Sequence, residues 1–151
     1  MRLERVSRAS ASVTIAEVKA YANITTSDDD TLLTRLLNSA LTRVEDISNI
    51  SLAANTIKLY SERVSTSERL FIQPVASITS VIEVESGESL NFTLYNDKSR
   101  VKYPESEVVI TYVTTPSLND ELKQIVIELA SAMYDGQDKT VIEGILQKIP
   151  R

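Results

Sequence analysis

The side chains best equipped for chemistry in this chain are carboxylates. Asp28, Asp29 and Asp30 stand in succession, with Glu17 before them and Glu45 after. Carboxylates at close spacing attract hard cations, and a carboxylate pair can divide general acid and base work when a fold fixes its separation and pKa values. Neither pattern is complete. No loop glycine and no glutamate at the twelfth position follow Asp28, so the EF-hand spacing is absent. Nothing in the spacing sets Glu17 or Glu45 across a pocket from the aspartates. The three aspartates read better as the opening turn of a helix, where negative side chains oppose the macrodipole and Ser27 serves as a cap. The sequence contains no His and no Cys, which removes Ser-His, Cys-His, zinc-finger and disulfide designs. Its glycines are Gly87, Gly136 and Gly144, too scattered for a phosphate-cradling loop. The expectation is therefore no catalytic residues, no metal and no cofactor.

The elements around these residues are legible from periodicity. Thr14-Ile15-Ala16-Glu17 is a capping box opening a short helix to about Tyr21. Leu33, Leu36, Leu37, Ala40, Leu41, Val44 and Ile47 follow the helical pattern and predict a long helix from the Ser27–Asp30 segment to Ser48. From Thr56 to Thr114 the period moves towards two: Ile57 and Leu59, Leu70 to Ile72, Ile78 to Val84, Leu90 to Leu94, Val101 with Tyr103, and Val108 to Tyr112. Turn residues such as Ser86-Gly87-Glu88 and Asn96-Asp97-Lys98 separate these runs, so they predict an antiparallel meander. A second long helix follows from about Asn119 to Tyr134, with Leu122, Ile125, Val126, Leu129 and Met133 as its core stripe. Thr140-Val141-Ile142-Glu143 is a further capping box, opening a last short helix of about 140–149. The predicted fold class is α+β: a helical core of two long antiparallel helices plus short helices, with a β-meander inserted between them at about 56–114. Residues 1–13 are expected as a mobile leader, since chain ends are loose unless tied down, and 14–151 as a single domain.

Two apolar surfaces are left over by this arrangement. Ile127 and Tyr134 lie off the core stripe of the second long helix, with Ala130 bridging the two faces. Such a helix is either sandwiched inside its own domain or shared with a neighbour. Ile142, Ile145, Leu146 and Ile149 share one side of the last helix, which Gly144 weakens. A helix this short needs docking to persist, onto its own bundle or into a partner.

Composition narrows the partners. The chain has 151 residues, with 16 Lys+Arg against 21 Asp+Glu, a net charge of -5 and 5% aromatics. An acidic, Trp-free chain offers neither a cationic groove nor a stacking platform, so sequence-specific nucleic-acid binding is not expected. No apolar run approaches the roughly 18–20 residues that span a bilayer, so no membrane partner is expected. The N-terminal Arg2, Arg5 and Arg8 lead into no apolar segment of the secretory kind. The starting compartment is a cytoplasm.

Several phrases of the sequence are similar to one family. Thr14-Ile15-Ala16-Glu17-Val18-Lys19, then Asp28-Asp29-Asp30-Thr31-Leu32-Leu33 and the long helix, resemble the opening of the small head–tail connector (adaptor) proteins of long-tailed bacteriophages. Pro74-Val75-Ala76-Ser77-Ile78-Thr79-Ser80-Val81 resembles that family's strand after a proline. Val108-Val109-Ile110-Thr111-Tyr112 before Leu122-Lys123-Gln124-Ile125 resembles its last strand leading into the third helix. The resemblance covers about Thr14 to Tyr134. It implies a structural, non-enzymatic neck protein, a homo-oligomeric ring (dodecameric in the particle) under the portal protein, extending the DNA channel and meeting the next neck or tail protein. DNA would pass without sequence-specific binding, and the protein would move from host cytoplasm to virion neck on assembly. On this reading Ile127, Ala130 and Tyr134 make lateral subunit contacts, while Ile142, Ile145, Leu146 and Ile149 dock onto the portal or a neighbour. The alternatives are a small cytoplasmic protein-binding module, monomeric or dimeric, and another phage neck protein such as a tail terminator.

Overall fold

The computed structural model describes residues 1–10 and 13–150. The chain divides into two compact units. One comprises Met1–Ser10 with Ala53–Ser117, and the other Ala11–Leu52 with Leu118–Arg151. The fold is α+β with antiparallel strand pairing, as the periodicity predicts. Instead of a single domain behind a leader, however, each unit has its own apolar cluster.

The helical unit contains α1 (Ile15–Ala22), α2 (Asp30–Ser48), α3 (Asp120–Tyr134) and α4 (Lys139–Leu146). The Thr14/Glu17 capping box forms as its sequence requires. Both α1 and α2 end on an asparagine in the left-handed region, Asn23 and Asn49, each with φ 57°. The start of α2 differs from expectation. Its N-cap is Asp29, which makes no side-chain capping bond, and Ser27 contributes its backbone carbonyl to the Asp30 amide instead of a cap. The first turn of α3 is capped by the Asn119 side chain, which accepts from the Leu122 amide at 2.8 Å. The cap of α4 is Asp138, accepting from the Val141 amide at 3.1 Å. This displaces the box expected at Thr140, which lies inside the helix. Val18, Leu33, Leu37, Leu41 and Val44 pack with Leu122, Ile125, Val126 and Leu129 into one buried cluster. None of the helices is long and apolar enough to cross a membrane among the described residues.

The β unit contains β1 (Arg2–Arg8), β2 (Asn55–Tyr60), β3 (Ser65–Arg69), β4 (Val75–Glu83), β5 (Thr93–Leu94), β6 (Arg100–Ser106) and β7 (Val108–Thr114). These strands do not form a meander. One sheet has the order β1-β2-β7-β4 and the other β3-β6-β5, so neighbours in sequence are often not neighbours in space. Strand β7 lies between β2 and β4, and its strict alternation of buried and half-buried residues puts Val108, Ile110 and Tyr112 into the core. Tyr112 is fully buried, and burial pushes its hydroxyl up to about 12.

Two strands were not legible. Residues 2–8, expected within a mobile leader, form β1 and pair antiparallel with β2 from Arg2↔Tyr60 to Arg8↔Asn55. Ladder hydrogen bonds hold a segment whose side chains are mostly exposed, so no apolar alternation announces it. The rest of that expected leader includes residues 11 and 12, which lie outside the described residues. Strand β3 is the polar run Ser65–Arg69, directly before the apolar Leu70–Ile72 that alternation favours.

Candidate interaction surfaces

Asp29, Asp30, Glu17 and Glu45 are structural fastenings. Lys19 Nζ donates to Asp30 Oδ1 at 2.9 Å, tying α1 to the first turn of α2. The Tyr134 hydroxyl donates to Asp29 Oδ2 at 2.6 Å, tying the end of α3 to the same turn. Lys123 Nζ lies 2.7 Å from Glu17 Oε2 and joins α3 to α1. That bond holds the Glu17 carboxyl below its ordinary value, against a smaller opposing effect of burial. The hydrogen bond to Asp29 pushes the Tyr134 hydroxyl up, and partial burial adds to it. Glu45 is fully buried and accepts the Leu52 amide at 2.8 Å, securing the chain just beyond α2. Asp29, Asp30, Glu17 and Glu45 are thus each committed to a different partner. Among the described residues no three His, Cys, Asp or Glu side chains gather as a metal ion would require.

The side chains expected at a lateral contact are largely internal. Ile127 is 7% exposed and Ala130 is fully buried, both in the helical unit's own core. Tyr134 is half-buried against the same core, with its hydroxyl on Asp29. The second apolar face of α3 is therefore covered within its own unit. The expected docking set is placed similarly. Leu146 and Ile149 are 8% and 3% exposed and belong to the core cluster, while Ile142 and Ile145 are partly buried against it. A weak helix near the chain end persists here because its apolar side packs on α3.

The exposed apolar side chains lie elsewhere. On the helical unit, Tyr21 and Val141 stand out, and with Ile145 they line a cavity of about 300 Å³ that also carries the Lys148–Glu128 ion pair at 3.0 Å. On the β unit, Val64, Val84, Phe92 and Tyr95 are exposed. Arg2 stacks over the Tyr60 ring at 4.0 Å, and the Tyr60 hydroxyl donates to Glu4 at 2.8 Å. That hydrogen bond to a carboxylate pushes the Tyr60 hydroxyl up.

A basic cavity on the β unit had no signal in the linear sequence. Arg63, Arg69 and Arg100 line a space of about 470 Å³ together with Met1, Glu68 and Phe71. Arg100 is distant from the other two in sequence and reaches them only because β3 pairs with β6, setting Arg69 directly opposite Arg100. Arg69 leans over the Phe71 ring at 5.2 Å. Glu68 is 3% exposed and accepts from Arg63 and Ser65, each at 3.3 Å.

Comparison with known proteins adds the following. A family model described as Phage gp6-like head-tail connector protein matches residues 12–147. Comparison with curated proteins found no match. Among solved structures, the chain is similar to one from the neck of an empty GTA particle computed with C6 symmetry, with a TM-score of 0.74 and 19% identity over 99% of this chain and 95% of that one. It is also similar to one from the neck of a native GTA particle computed with C12 symmetry, with a TM-score of 0.68 and 17% identity over the same shares. A chain from the virion of a native gene transfer agent particle gives 0.67 and 19%, again over 99% and 95%.

Proposed function

On the premise that the chain belongs to the phage gp6-like head-tail connector family, we propose that copies of it form a closed ring beneath a portal, line the DNA passage and present a surface to the next neck or tail component. The observation that carries this reading is the family match across residues 12–147, which spans both units. The likeness of the fold to chains from necks computed with C6 and C12 symmetry agrees with it. So does the chemistry: Asp29, Asp30, Glu17 and Glu45 are engaged one by one in structural bonds and supply no acid–base pair. The role is structural and without catalysis. A net charge of -5 repels the phosphates of passing DNA, which slides without being held.

With Leu146 and Ile149 internal, the portal contact moves to the other side of α4. There Val141 is exposed beside Tyr21 at the cavity mouth. Native mass spectrometry of the purified protein across a wide concentration range, alone and with a cognate portal, tests the reading. A closed oligomer of about a dozen copies supports it. A chain that stays monomeric in both conditions, or stops at a dimer, overturns it.

A further inference from the structure

The basic cavity carries an electrostatic debt that the chain does not settle by itself. Three guanidinium groups face one carboxylate, and that carboxylate, Glu68, is already held by Arg63 and Ser65. Arg69 and Arg100 stand directly opposite each other across the β3–β6 pair, an arrangement that like charges disfavour. Arg100 donates one bond to Ser67 at 3.0 Å, and Arg69 meets the face of Phe71. A guanidinium has five N–H donors, so donor capacity remains towards the cavity. An oxyanion placed between the two would relieve the repulsion and take bidentate bonds.

The same unit holds a matching source of oxyanions. From residue 70 to residue 96 there is no Lys or Arg, and the segment's charges are Glu83, Glu85 and Glu88. Glu83 is engaged by Ser106 at 2.8 Å, but Glu85 and Glu88 are exposed in the turn that follows β4. That turn is tight and fixed: the Glu83 amide donates to the Glu88 carbonyl at 2.9 Å, the Gly87 amide to the Glu83 carbonyl at 2.8 Å, and Gly87 has φ 72°. The turn leads into β5, which lies at the opposite edge of the three-stranded sheet from β3 and Arg69 and pairs with β6, the strand that begins at Arg100. Among the described residues no ion pair joins Glu85 or Glu88 to Arg63, Arg69 or Arg100, so the two sets are left unmatched within one copy. They match in head-to-tail association, the kind that closes into rings.

We propose that the Arg63, Arg69 and Arg100 cavity of one copy receives the Glu85 and Glu88 carboxylates of the next. This deepens the ring reading and rests on it. The full-length chain is compared by sedimentation velocity and by incorporation into particles with two double variants, Arg69→Glu/Arg100→Glu and Glu85→Arg/Glu88→Arg, and with their equimolar mixture. Circular dichroism confirms that each is folded, and the second variant changes only exposed turn residues. Each variant alone is expected to lose assembly by at least about tenfold, and the mixture to regain it, because every junction then joins opposite charges. Assembly of either variant at the native level overturns the contact while leaving the ring intact. So does a Arg69→Glu/Arg100→Glu protein that assembles normally but loses retention of duplex DNA, which would make the cavity a phosphate site. Failure of the unaltered chain to assemble or enter particles overturns the ring reading itself.

Discussion

Ile149 stands two residues from the end of the chain and yet is 3% exposed, packed in the same cluster as Leu129 and Val126. Replacing it with alanine distinguishes a tail that belongs to the core from one held in reserve for a partner. Truncating a buried Ile to Ala costs about 2–5 kcal/mol when the surroundings cannot collapse. The loss is capped because Ile149 lies beyond the last turn of α4, in a segment that can fray once its docking weakens. The backbone resists fraying through the Lys148 and Ile149 amides, which donate to Ile145 and Leu146 at 3.1 and 3.2 Å. The lower half of the range, about 2–3 kcal/mol, is therefore expected. With a urea m-value of about 2 kcal/mol/M, the unfolding midpoint falls by roughly 1–1.5 M. The assay is urea denaturation of the isolated full-length chain, followed by far-ultraviolet circular dichroism. Val141→Ala, at a position 43% exposed on α4, is the control and should stay within about 0.5 kcal/mol. Equal midpoints for Ile149→Ala, Val141→Ala and the parent chain would refute the placement of Ile149 in the core.

Two further outcomes follow from the same unit. A Cβ at Gly144 meets nothing within 4 Å, and its φ is not in the left-handed region, so Gly144→Ala should stabilise α4 by about 0.5–1 kcal/mol, read as a higher midpoint in thermal unfolding. The Glu17 carboxyl is held below its ordinary value of 4.5 by Lys123, so its contribution to stability is present above the unfolded value and is lost as pH falls through the lower folded one. Lys123→Met should move the Glu17 midpoint upward in an NMR pH titration and flatten the acid limb of the stability curve; an unmoved Glu17 midpoint would contradict the pairing.

Features that depend on neighbours along the chain are readable directly from the residues. The α1 capping box, the stripes of α2 and α3, and the alternation of β2 and β7 are local patterns, and each lies where its period puts it. The absence of His and Cys and the acidic balance are equally independent of folding. Pairings between distant residues emerge only on folding. Strand β1 exists because β2 offers a free edge, and its exposed side chains left no periodic trace. The strand order is non-sequential, since β7 takes β2 on one side and β4 on the other. Ile127, Leu146 and Ile149 had the pattern of surfaces awaiting a partner, and only the packing of the helical unit showed them to be its interior. Amphipathicity fixes which side of a helix seeks burial but not what buries it. The arginine cavity is the extreme case: Arg69 meets Arg100 solely through the β3–β6 register, and no spacing along the chain encodes that encounter.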